Sequence, residues 1–419
     1  MNNHRRALRG LLTAMLVSSI PATLILPMMP SLGQAFSVGA TQLGLLVGIY
    51  PLMSMLASPV WGKLSDRYGR KPILIITLLG GAAAFLCFAL STSWLGLLAG
   101  RALQGLAGTP RGIGFAVASD MAGPGERSSG MGAVTAAMAI GFTVGPLMGG
   151  LLMGENPDSW LGAVRHVLGL APGGFSHVVP SLFGMLLNAG AAVIIVFTFR
   201  ETWKPGDTPK EATDPAQSPT HSFAVAIVQP SVVIAILFFL LSGLVQGSLQ
   251  FAFALWANMD HGWLAQQIAW SSVVLGVGFA LGSGGILRPM IHRIGQEKTV
   301  LTGSIIDATG LSFFLYFQDQ PLLAMTGLLI SSLGGALWAT TMLGLLSRGI
   351  DARDQGLALG VANGAALLGR VAGPALAGYL AANIDAGAPF VLILGCVLVT
   401  IMRGISLTRN SAAADTPQR

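Results

Sequence analysis

The sequence predicts an all-α membrane protein with twelve transmembrane helices in two six-helix bundles. Three observations predict it. Only 10% of the 419 residues are charged and 53% are hydrophobic. A soluble protein carries about 25% charge, so this chain has too little to cover a soluble surface. Twelve apolar stretches are each near the roughly 20 residues that a helix needs to cross about 30 Å of hydrocarbon. The two halves of the chain also repeat one another at a nearly constant offset.

The stretches run 10–30, 41–62, 72–92, 94–119, 129–153 and 178–199, then 223–253, 265–287, 299–317, 321–346, 355–382 and 387–406. His4, Arg5, Arg6 and Arg9 give the first the outline of a secretory signal. It is long for a signal core, and no small-x-small site follows at once, so it reads as a retained first helix. Residues 200–222 hold Pro205, Pro209, Pro215 and Pro219 among charged side chains and read as a flexible linker. The linker divides the chain into bundles 1–199 and 223–419.

Most of the 23 basic residues fall in alternate connections, and the opposite connections hold only Arg165. This bias predicts a multi-pass inner-membrane protein with both termini cytoplasmic. It also accounts for the net charge of +6 without a nucleic-acid partner. The partners expected are the lipid bilayer, a small-molecule substrate and protons, around a monomer. Cys87 and Cys396 lie apart in apolar runs. No Cys/His cluster, HExxH, P-loop or Ser/His/Asp arrangement occurs, so no metal, cofactor or enzymatic activity is expected.

The repeat is visible in three places. Arg67-Tyr68-Gly69 has a faint copy at Arg293-Ile294-Gly295, and Arg127-Ser128-Ser129-Gly130 matches Arg353-Asp354-Gln355-Gly356, both shifted by 226. Gly141, Gly145, Pro146 and Gly150 match Gly369, Gly373, Pro374 and Gly378, shifted by 228. The halves therefore read as parallel six-helix duplicates.

Between the second and third stretches lies Gly62-Lys63-Leu64-Ser65-Asp66-Arg67-Tyr68-Gly69-Arg70-Lys71-Pro72, followed by Leu74. This resembles GxLxDRxGRKxxL, the loop signature of the major facilitator superfamily, at every fixed position. The resemblance implies a gating latch at Gly62, Asp66, Arg67, Gly69, Arg70 and Lys71. In that family the aspartate and arginines close the cytoplasmic side in the outward-open state. A basic turn with one carboxylate can exchange ion pairs as the halves rock. In the second-half copy His292, Gln296 and Glu297 replace Asp66, Arg70 and Lys71, so the first loop should dominate.

Three further resemblances follow. Arg101-Ala102-Leu103-Gln104-Gly105-Leu106-Ala107-Gly108 resembles the family motif RxxQGxGxA, with alanine at its second glycine. The resemblance links Arg101 and Gln104 to proton coupling or substrate. A guanidinium within a membrane helix is costly unless it faces water or a partner. Arg111 should sit about 80° round the same helix, either joining Arg101 or snorkelling to the interface. Gly141-Phe142-Thr143-Val144-Gly145-Pro146-Leu147-Met148-Gly149-Gly150 resembles GxxxGPxxGG of the antiporter branches. Its glycines form a stripe for close helix contact, and Pro146 should supply a kink. Pro27 and Pro30 resemble the PxxP ending of the first helix in the twelve-span drug:proton antiporter branch.

Of 17 acidic residues only Asp307 lies near the middle of a stretch. It is expected to pair with Arg370, to carry the proton, or to join two helices. Gln246, Gln250, Asn188 and Asn363 either line a cavity or bond a neighbouring helix. Together these readings imply proton-driven export of a small organic molecule by alternating access. Buried Arg101, Arg111 and Arg370 leave open a carrier for anionic metabolites or siderophore-like acids. A non-transporting membrane sensor is the reading from another class.

Overall fold

The computed structural model describes residues 2–107, 111–121, 127–153, 177–199, 201, 230–348 and 355–414. The linker expected at 200–222 lies outside these residues except for Glu201. The chain divides into two compact units: Met1–Gln217 with Trp263–Trp270, and Ser218–Gly262 with Ser271–Arg419.

The first unit carries α1 (Asn2–Leu24), a 3-10 turn (Leu26–Met28), α2 (Met29–Phe36), α3 (Ala40–Tyr68), α4 (Arg70–Ala89), α5 (Trp94–Leu106), α6 (Arg111–Met121), α7 (Arg127–Leu152) and α8 (Val178–Thr198). Then come α9 (Pro230–Met259), α10 (Ala265–Ala280), a π-helical stretch (Leu281–Ile286), α11 (Leu287–Ile294), α12 (Gln296–Tyr316), α13 (Pro321–Arg348), α14 (Gln355–Asn383) and α15 (Ala388–Ala414). Among the described residues, 11 helices are long and apolar enough to cross a membrane.

Two predicted boundaries are corrected. The first stretch does not end at Pro27 and Pro30: the apolar path runs Ala7–Phe36. Pro27 is the second residue of the 3-10 turn and Pro30 the second residue of α2. At the start of a helical segment the missing N–H has no carbonyl to serve, so proline is tolerated. The stretch 94–119 is not one helix but α5 and α6. Helix α5 ends at Leu106, and Ala107 already lies in a turn. The Trp61 Nε1–H of α3 donates to the Leu106 carbonyl at the end of α5, 2.8 Å away. That bond satisfies a helix-end acceptor that would otherwise be costly in an apolar medium.

The core of the first unit joins five helices. Leu11, Ala14 and Met15 of α1 meet Leu74 and Leu78 of α4, Val117 of α6, Val134 of α7, and Ala191 and Ile195 of α8. At the far end of α8, His177 makes edge contacts with Phe36 and Phe88, and its Nε2 lies 3.1 Å from the Ser91 carbonyl. Burial holds this imidazole below its ordinary pKa, against the opposing pull of that carbonyl.

The repeat appears as a shared bend. Gly69 ends α3 and starts α4 with φ +100° and ψ 159°; Gly295 ends α11 and starts α12 with φ 82° and ψ 167°. Only glycine adopts such positive φ values without strain. The same unusual conformation therefore recurs at the offset that the sequence motifs display.

Candidate functional site

The loop between α3 and α4 gathers charge around Arg70. Its Nη1 lies 2.6 Å from Asp66 Oδ1 and donates to Ser65 Oγ at 2.5 Å; its Nε lies 3.2 Å from Asp120 Oδ2. One guanidinium thus ties the last turn of α3 to the end of α6. The side chain of Arg70 is 13% exposed, whereas Asp66 is 62% and Asp120 32% exposed. Exposed ion pairs are worth about 0.2–1 kcal/mol each, so this set holds a conformation and is cheap to break. Arg67 lies 5.3 Å from the centre of the Tyr68 ring. A Cβ on Gly62 would meet nothing within 4 Å. The backbone N–H groups of Arg70 and Lys71 donate to the two carboxylate oxygens of Glu201, at 2.9 and 3.0 Å. The Lys71 Nζ donates to the Val196 carbonyl at 2.9 Å.

Arg101 on α5 is 2% exposed. Its Nη1 donates to Gln104 Oε1 at 2.7 Å, and its guanidinium lies 5.0 Å from the centre of the Tyr50 ring on α3. Its Nε, buried, has no hydrogen-bond partner among the described residues. The i, i+3 spacing lets Gln104 meet Arg101 on one helix face. Gly105 brings α5 against α3: a Cβ there would lie 2.5 Å from the Tyr50 carbonyl oxygen. Arg111 opens α6, on a different helix from Arg101, so the expected 80° relation does not hold. The side chain of Arg111 lies outside the described residues.

The glycine motif on α7 seats that helix on α1. Cβ atoms at Gly141, Gly145 and Gly149 would fall on the carbonyl oxygens of Leu16, Ile20 and Leu24 respectively. Thr23 Oγ1 donates to the Phe142 carbonyl at 3.1 Å. Helix α7 runs unbroken through Pro146. A Cβ at Gly150 would meet Ala265 and Ala269, in the 263–270 segment of the first unit. In the second unit the copy seats α14 on α9: Gly369 faces the Leu240 carbonyl and Gly373 the Leu244 carbonyl. Pro374 lies within α14.

Asp307 on α12 is 1% exposed. It does not meet Arg370. Ser331 Oγ donates to its Oδ1 at 2.6 Å and Trp338 Nε1 to its Oδ2 at 2.8 Å, both from α13. Close backbones make this reach possible, because Gly303, Gly310, Gly327 and Gly334 line the contact between the two helices. Arg370 is partly exposed rather than buried, and its Nη2 donates to Gln246 Oε1 at 2.9 Å. Gln250 and Asn363 are exposed. Asn188 is buried and bonds the Gly184 carbonyl of its own helix.

Asp120, Glu201, Ser331 and Trp338 escaped the sequence reading. Charge scarcity was the usable signal for the first two, since each carboxylate in so apolar a chain stands where something holds it. Ser331 and Trp338 carry no such signal. Among the described residues, no three His, Cys, Asp or Glu side chains come together as metal ligands.

Apolar helices in two units, with a repeated glycine bend and repeated glycine seams, define a multi-pass membrane carrier. The chain belongs to the Major Facilitator Superfamily, whose profile matches residues 11–351 and, separately, 237–418. The two matches begin at positions separated by the repeat offset. The chain is 25% identical to the class B tetracycline resistance protein of Escherichia coli, over 83% of this chain and 81% of that protein. It is 25% identical to multidrug resistance protein 1 of Bacillus subtilis (strain 168), over 95% of this chain and 94% of that one. The crystal structure of the human organic anion transporter MFSD10 superposes with a TM-score of 0.68 at 21% identity, over 95% of this chain and 99% of that one. This last likeness concerns the fold.

Proposed function

We propose that the chain expels a small organic molecule in exchange for protons, by alternating access of two bundles, 1–199 and 223–419, joined by 200–222. It would act as a monomer in the inner membrane, with both termini cytoplasmic. The observation that carries the reading is the exporter-type glycine stripe of α7 seated on the backbone of α1. Relatives named for tetracycline and multidrug resistance support it.

The candidate residues divide the work. Gly62, Asp66, Arg67, Arg70 and Lys71 form the latch together with Asp120, and Gly69 supplies its bend. Arg101 and Gln104 contribute to coupling or to substrate. Asp307 is the proton-coupling carboxyl: Ser331 and Trp338 are neutral donors, and neither neutralises its charge. Arg370 and Gln246 supply a polar contact to substrate. Rocking of the halves exchanges the latch pairs, because weak exposed pairs can be made and broken within a few kcal/mol.

The experiment is proton movement in everted membrane vesicles energised acid-inside. Tetracycline, a permanently cationic dye and an aromatic carboxylate are added in turn. Lumenal alkalinisation with tetracycline or the dye supports proton-coupled export. A response to the carboxylate alone would replace it with the anion-carrier reading, and no response to any compound would overturn it. Asp307→Asn, which keeps the size but cannot lose a proton, is expected to abolish alkalinisation while downhill substrate exchange persists. Coupled flux at the wild-type level would remove Asp307 from the mechanism.

Arg101→Ala gives effects of opposite sign. Among the described residues this buried cation meets a neutral amide and a phenol, and removing it relieves several kcal/mol of desolvation. The melting temperature in detergent should rise or hold, while coupled flux falls at least about tenfold. A fall in both would make Arg101 a structural residue.

A further inference from the structure

Glu201 sits three residues beyond the end of α8, outside every motif. Its two oxygens divide the N–H groups of Arg70 and Lys71, the first two residues of α4. The first turn of a helix has N–H groups with no partner in the helix and a partial positive charge, so a carboxylate is favoured there. Lys71 answers in the other direction: its ammonium meets the Val196 carbonyl in the last turn of α8, the negative end of that helix. Helices α4 and α8 thus cap one another with opposite charges.

The bend at Gly69 is fitted to this arrangement. A Cβ there would lie 2.6 Å from Glu201 Oε2. At Gly295, which has the same backbone conformation, a Cβ would meet nothing within 4 Å. Among the described residues the bend belongs to both halves, and the carboxylate pressed against it belongs to the first. Arg70 is the shared residue. Its backbone N–H is held by Glu201, and its side chain holds Ser65, Asp66 and Asp120.

We propose that Glu201 is a positioning residue for the latch, fixing the first turn of α4 so that the Arg70 guanidinium reaches α3 and α6 together. The inference rests on the latch reading given above and deepens it. Its place at the exit from α8 also joins the root of the segment leading to the second unit to the latch.

Hydrogen exchange in lipid nanodiscs tests this without any substrate. Wild type, Glu201→Gln, Arg70→Ala and the double variant are compared. Gln retains one good acceptor and loses the charge, so the Arg70 and Lys71 amides should exchange about tenfold faster. The amides of Asp66–Tyr68, in the last turn of α3, and of its cap Gly69 should also exchange faster, although both of those hydrogen bonds end on α4. In the Arg70→Ala background, Glu201→Gln should add nothing at α3. A cap that merely stabilises α4 would leave α3 unchanged. Unchanged exchange at α3, or an additive effect there, overturns the proposal. The latch reading fails separately, if Asp66→Asn vesicles transport like wild type, and the role of Glu201 falls with it.

Discussion

Asp66→Asn should reduce coupled flux to about a tenth of wild type or less while leaving membrane abundance unchanged. The two halves of this expectation have different physical sources. Asp66 is 62% exposed, so losing its pair costs folding no more than about 1 kcal/mol. Insertion does not depend on it. A gate, however, is an equilibrium between states that differ by only a few kcal/mol. Removing the anion leaves the Arg70 guanidinium tied to α3 by the neutral Ser65 hydroxyl, with Asp120 as its remaining carboxylate. Arg70→Lys should be nearly as damaging. An ammonium keeps the charge, but it cannot span Ser65, Asp66 and Asp120 as a planar fork does. The measurement is lumenal pH in everted vesicles with tetracycline, alongside an immunoblot of the membrane fraction. Wild-type flux in both variants would remove the loop from the transport cycle.

The second large effect concerns assembly. Gly149→Val should lower membrane abundance about tenfold, because the fault lies in backbone against backbone. The new Cβ would fall on the Leu24 carbonyl, 2.9 Å from its carbon. No rotamer change relieves such a contact; α7 must move off α1, where overpacking costs about 1–3 kcal/mol or more. Gly145 faces the Ile20 carbonyl oxygen at 2.5 Å and should behave alike. Gly190→Ala is the contrast. It lies within α8, and a Cβ there meets nothing within 4 Å. Alanine should be neutral or stabilising by about 0.5–1 kcal/mol. Fluorescent-tag size exclusion after heating compares the three. Equal melting curves would mean that the stripe carries no packing role.

How much of this was legible in the chain depends on range. Features that a helix or a turn sets locally could be read directly. Arg101 and Gln104 meet because i and i+3 share a face, and Gly69 bends because its neighbours require a turn. The glycine periodicity marked which face of α7 would be approached. The sequence could not say by what, since α1 lies over a hundred residues away. Partner choice among polar groups failed for the same reason. Of the roles open to Asp307, the pair with Arg370 does not form: the glycines of α12 and α13 bring Ser331 and Trp338 closer, neutral donors win by distance, and the carboxylate joins those two helices. Pro27 and Pro30 misled because proline stops a helix only when it needs an N–H mid-helix. At the start of a new segment it continues the path.

The π-helical stretch Leu281–Ile286 has a consequence for comparing this chain with its relatives. A π turn takes up about one residue more than an α turn. Side chains after it therefore lag by about 100° behind those of an uninterrupted α-helix. Position 287 faces as 286 otherwise would, and the shift persists through Ile294. An alignment to a relative with a straight helix here stays correct in lipid-facing and inward-facing register only if a one-residue gap falls within 281–286. Placed in either flanking loop instead, the gap would match outward residues with inward ones along half the helix.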